Sequence, residues 1–140
     1  MDKIESIQRR GARFVYKDYR KTSSVTTMLS NLGWEPLQDR RKIARLTMLQ
    51  KIRQGQVAIP AGSFLQPASS RRSSSRLNHS QSYIKPTGRS DFYLQSYFPH
   101  TINDWNSLPE HIININDTQL FKSAVTSYIC PSTASSNQQE

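Results

Sequence analysis

Arg9, Arg10, Arg13 and Lys17 recur at spacings that gather them along one side of a helix, and Arg20 and Lys21 follow directly. Guanidinium and ammonium groups in such a row can hold successive phosphates by charge and by charge-assisted hydrogen bonds. Arg40, Arg41, Lys42 and Arg45 form a second cluster. Arg41 and Arg45, four residues apart, are predicted to share a solvent face. Neither cluster has a pattern suited to base edges, so the expected contact is with RNA or DNA backbone, with little choice of sequence. The plainer alternative is a solvated basic surface whose cations pair with Asp18, Glu35 and Asp39.

Catalytic constellations are missing from the sequence. It has no phosphate-cradling glycine loop, no Gly-x-Ser-x-Gly elbow and no His-Glu-x-x-His pair. His79, His100 and His111 stand far apart and are expected at the surface, without the spacing of metal ligands. Two-metal nucleotidyl transfer needs clustered carboxylates, whereas Asp91, Asp104, Glu110 and Asp117 are dispersed. The expectation is therefore a non-enzyme with no metal and no cofactor. Trp34 and Trp105 could stack on bases, but their places at a helix end and on an apolar stripe favour packing. Arg71-Arg72-Ser73-Ser74 has the form of a basophilic kinase site, with an unstructured polar loop as the simpler reading.

Charge is unevenly distributed. Residues 1–53 carry a net +8, residues 54–89 carry +5 and residues 90–140 carry −4, giving the overall +9. A polyanion-facing N-terminal half thus precedes a neutral-to-acidic C-terminal half. Hydrophobic residues make up 35% of the 140, enough for a modest core only if most of the chain contributes. The lone Cys130 forms no intrachain disulfide, so a reducing compartment, nucleus or cytoplasm, is expected. No stretch approaches the roughly 20 apolar residues of a membrane span, and no membrane partner is expected.

The elements that must carry these side chains are predicted to be mainly α-helical. Ile4, Ile7, Gly11, Phe14 and Val15 give residues 3–18 one apolar stripe. Ser23 or Ser24 can cap a short second helix bearing Val25, Met28, Leu29 and Leu32, with Gly33 as its stop. Pro36 opens a third helix running to about Gln54. Its stripe of Leu37, Ala44, Met48 and Ile52, widened by Ile43, Leu46 and Leu49, suits a central helix contacted from two sides. Residues 1–56 are thus expected to form a basic three-helix unit. A Pro/Ser/Arg-rich loop at 57–76 follows. Residues 77–84 and 91–98 read as a candidate β-hairpin about Lys85–Arg89, with Phe92, Leu94 and Phe98 alternating with polar positions. Two C-terminal helices complete the region 77–130 and pack on the first unit. One carries Phe98, Ile102, Trp105 and Leu108 and ends at Pro109. The other is capped by Asn116 or Asp117 and buries Leu120, Phe121, Ala124, Val125, Tyr128 and Ile129. Residues 131–140 are expected to form a disordered tail.

The order of these segments resembles a known family. Ile4-Glu5-Ser6-Ile7-Gln8-Arg9-Arg10-Gly11-Ala12-Arg13-Phe14-Val15 is similar to the stretch that follows the polymerase core in jockey-like, LINE-type non-long-terminal-repeat retrotransposon reverse transcriptases. Thr22 through Val25, Leu32-Gly33-Trp34 and Arg40 through Leu46 continue the pattern. So do Phe98 through Pro109 and Phe121-Lys122-Ser123. The family usually has alanine where Gly11 stands. The resemblance implies a non-catalytic C-terminal part of an RNA-directed DNA polymerase, whose catalytic palm and endonuclease would lie upstream of Met1. None of the family's active-site residues has a counterpart here. Three functions remain open: backbone contact with RNA or DNA beside a polymerase, docking on the polymerase thumb, or a transposable-element remnant without selected function.

Overall fold

A computed structural model describes residues 3–68 and 79–131. The Arg71–Ser74 motif, residues 69–76 of the expected loop and nearly all of the expected tail lie outside those residues. The described chain is mainly helical, as expected: α1 (Lys3–Tyr16), α2 (Val25–Asn31), α3 (Leu37–Arg53), α4 (Ala61–Phe64), α5 (Asp91–Leu94), α6 (Tyr97–Asn106), α7 (Glu110–Ile113) and α8 (Thr118–Ile129).

Helix ends follow local chemistry. The Ser24 hydroxyl accepts the Thr27 amide at 3.3 Å, capping α2, and the Asp117 carboxylate accepts the Leu120 amide at 2.8 Å, capping α8. Gly33 and Gly55 close α2 and α3 in left-handed conformations, with φ of 63° and 69°. The next amides, Trp34 and Gln56, reach back to Leu29 and Lys51 carbonyls at 2.9 Å, satisfying acceptors the helices leave open.

Packing divides the molecule differently from the expected N-terminal three-helix unit. Ile43, Leu46, Leu49 and Ile52 of α3 join Ile102 and Trp105 of α6, Ile112 and Ile113 of α7, and Phe121 and Val125 of α8 in one core. The pair α1–α2 has a separate, smaller cluster of Ala12, Val25, Met28 and Leu29. Helix α3 is indeed contacted from two sides, but by α6 and α8. Its buried stripe joins Ile52 to Ile43, Leu46 and Leu49, the set expected to widen it, while Ala44 and Met48 are exposed. Polar stitches fasten the same helix to the α7–α8 turn. The Gln50 amide donates to the Ile115 carbonyl and that of Gln54 to Asn116, both at 2.6 Å.

The hairpin is corrected. Residues 91–94 and 97–106 are helical, and Tyr83 bridges antiparallel to Pro67, on the far side of the serine-rich stretch. The Ala68 amide donates to Ser82 O at 2.9 Å and the Ile84 amide to Gln66 O at 2.8 Å. Phe98, the last residue of the alternating run, packs on helices instead of a strand: it stacks on Phe64 at 4.3 Å and meets Tyr97 edge-on at 5.0 Å, while Phe92 stays exposed. Leu120 and Tyr128, expected inside α8, lie on its exposed face.

The apolar stripe of α1 is present but largely uncovered. Ala12 is buried, whereas Ile4, Ile7, Phe14 and Val15 are each more than half exposed. The indole of Trp34 lies over Gly11, where an added Cβ would be 3.5 Å from Trp34 Cζ3, an ordinary contact. Gly11→Ala is therefore expected to raise stability by about 1 kcal/mol through helix propensity. The gain should appear as higher helical circular dichroism and a higher thermal midpoint. A lower midpoint would mean that the indole cannot accept the methyl group.

Candidate nucleic-acid interface

The first cluster stays open to solvent at its essential positions. Arg10, Lys17 and Lys21 are exposed and Arg9 is half-buried on α1. These four pair with no carboxylate among the described residues. Arg13 donates to the Arg20 carbonyl at 2.8 Å, tying α1 to the turn that follows. Lys17 ends the helix with φ at 51°, a left-handed conformation that costs a lysine about 1 kcal/mol. The Lys17 and Asp18 amides donate back to Phe14 and Arg13 carbonyls.

Asp18 organises this turn. Its carboxylate accepts the Arg20 Nε and backbone amide, each at 3.1 Å, and the Ser23 hydroxyl at 2.6 Å. The Arg20 guanidinium, then the Ser23 hydroxyl, holds the Asp18 carboxyl well below the usual carboxylate range. Arg20 is thus partly engaged in structure, as the plainer reading of the charges expected. Beside it lies an open hollow lined by Tyr16, Lys17, Tyr19 and Arg20. Sequence reasoning missed the two exposed tyrosines, whose faces can stack on unpaired bases next to cations. Their interleaving with Lys17 and Arg20 was the available signal.

The second cluster is split. Lys42 Nζ lies 3.2 Å and Arg45 Nη2 3.0 Å from the two oxygens of Asp104 on α6, and His100 Nε2 lies 3.9 Å away. Arg45 therefore does not share an open face with Arg41. It is held between α3 and α6, where its backbone carbonyl also accepts the Tyr97 hydroxyl at 3.1 Å. Burial pushes the Tyr97 phenol up to about 12, so it remains a donor. Arg41 is exposed, and Arg40 turns toward α8.

One histidine expected at the surface belongs to the interior. His79 is buried, its Nε2 3.1 Å from the Trp105 carbonyl, and the Ser82 hydroxyl donates to His79 O at 2.9 Å. Trp105 is wholly buried and Trp34 partly exposed, so the packing role expected of both is complete only for Trp105. The Cys130 thiol is pushed up by burial and by Asp39 and Glu35, which disfavours its reactive thiolate. Among the described residues no three His, Cys, Asp or Glu side chains gather as a metal site. Among them, too, no helix is long and apolar enough to cross a membrane. Compared with protein families, with curated proteins and with solved structures, the chain matches none.

Proposed function

We propose that this chain is a non-catalytic helical accessory region of a retrotransposon reverse transcriptase of the jockey-like kind, and that α1 and its following turn contact RNA or DNA backbone. The observation that carries the reading is the row Arg9, Arg10, Lys17 and Lys21, cations left without carboxylate partners among the described residues. Cations that solvate a helix and those that meet phosphate look alike until salt is varied. Only the latter release counterions on binding.

Fluorescence anisotropy with duplex DNA and structured RNA, repeated across salt concentrations, tests it. Neutralising about five phosphates gives a log–log slope near −4 to −5 on duplex DNA. Replacing Arg9, Arg10 and Arg13 by glutamine should reduce that slope by about 2.7. A folded chain that binds neither ligand at low salt would overturn the proposal.

A second reading, docking on the polymerase thumb, is favoured by the exposed stripe of Ile4, Ile7, Phe14 and Val15 beside the partly exposed Trp34. Under it, Ile7→Asp with Phe14→Asp abolishes association with the polymerase domain and leaves nucleic-acid affinity unchanged. Retained association would remove that reading.

A further inference from the structure

A cleft of ≈ 620 Å³ runs between α3 and α8. Arg40, Ala44, Met48 and Lys51 line it from α3, and Gln119 and Lys122 line it from α8. The α3 residues fall on one stripe, at successive intervals of four, four and three. Arg40 and Lys51 thus stand about 16 Å apart along the helix. Lys122 reaches the same space from the acidic third of the chain, brought there by the α3–α8 packing.

Three cations share this cleft, and none pairs with a carboxylate among the described residues. Glu35 also lines it and opposes them only in part. The Thr47 and Thr126 hydroxyls donate to Ile43 and Lys122 carbonyls of their own helices at 2.8 Å, which leaves the cations and the Gln119 amide to face a ligand. Between the cations, the exposed Met48 and Ala44 make an apolar floor.

We propose that this cleft seats a short run of single-stranded nucleic acid, with backbone phosphates on Arg40, Lys51 and Lys122 and a sugar or base against Met48. The inference rests on the nucleic-acid reading above but names a separate site. The cleft has the volume of a small-molecule pocket, room for a nucleotide or two of an unpaired strand. Cations separated along a groove with an apolar floor suit a strand better than an isolated phosphate. Nothing in it reads base edges, so the site takes a strand with little sequence preference.

The test uses the full chain, a short fluorescein-labelled oligothymidylate and a duplex, with thymidine monophosphate as competitor. Lys51→Gln with Lys122→Gln is expected to weaken oligothymidylate binding about 10-fold and to reduce its salt slope by about 1.4, leaving duplex binding unchanged. Ala44→Trp plugs the exposed floor without altering charge, and should weaken single-strand binding to a similar degree. Circular dichroism and thermal melting of these surface variants report whether the fold is kept. Equal losses for strand and duplex, or no effect of the plug on a folded variant, would overturn the cleft proposal. Competition by the monophosphate as strong as that by the unlabelled oligomer would overturn it too. With duplex binding still dependent on Arg9, Arg10 and Arg13, those outcomes leave the α1 reading standing. A wild-type chain that binds neither ligand would overturn both.

Discussion

Trp105→Ala is expected to lower the stability of the folded chain by about 4 kcal/mol, the upper range for emptying a large aromatic site. Trp105 is fully buried in the larger core, between α3, α8 and the 79–83 segment. Its ring lies 5.8 Å from Phe121 of α8 and 6.2 Å from Tyr83, centroid to centroid, and the Arg53 guanidinium of α3 sits 5.5 Å above it. Its indole N–H donates to the Gln81 carbonyl at 3.1 Å, and its own carbonyl meets His79. Alanine leaves a cavity, an unmatched Gln81 acceptor and an Arg53 without its aromatic face. Domains of this size are stable by about 5–15 kcal/mol, so this one change removes a large share. Urea unfolding should show the midpoint fall, with Trp34 as the remaining fluorophore. Trp105→Phe, which keeps most packing but loses the N–H donor, should recover at least half of the loss. A Trp105→Ala cost below 1 kcal/mol would mean that the 79–84 segment and α8 do not close on α6 as described.

What was legible in the sequence was mostly local. Ser24, Gly33, Gly55 and Asp117 act within a turn of their own position, and each caps or closes a helix as its residue type predicts. The mainly helical class followed from the same signals. Partnership between elements was less legible. Periodicity identified the stripe of α1 but could not say what covers it, and Ile4, Ile7, Phe14 and Val15 remain exposed. In α3 both candidate stripes were visible, yet only contact with α6 and α8 decides that Ile43, Leu46 and Leu49 are buried and Met48 is not. Pairing of residues 66–68 with 82–84 crosses a polar stretch that carries no strand signal. For the candidate site, Arg9, Arg10 and Lys17 could be read directly. Lys51 was readable too, since it continues the stripe of Arg40. Lys122 could join them only after α8 had been docked on α3.

Asp104→Asn is expected to move stability and nucleic-acid affinity in opposite directions, and so to separate two roles that the second cluster combines. The Asp104 side chain is 13% exposed, against 23% for Arg45 and 36% for Lys42. Asparagine keeps the volume but removes the charge that holds both cations between α3 and α6. Breaking a fully buried pair costs about 3–5 kcal/mol. Lys42 is solvated enough to recover water, so the expected loss is about 2 kcal/mol, borne mainly by Arg45. The same substitution releases two cations on the helix that carries Arg40. If they can reach a bound backbone, duplex affinity rises and its salt slope steepens by up to about 1.8. A lower thermal midpoint with unchanged binding would assign Lys42 and Arg45 to structure alone and confine the interface to α1 and the α3–α8 cleft. An unchanged midpoint would mean that water already screens the bridge, leaving both cations available in the native chain.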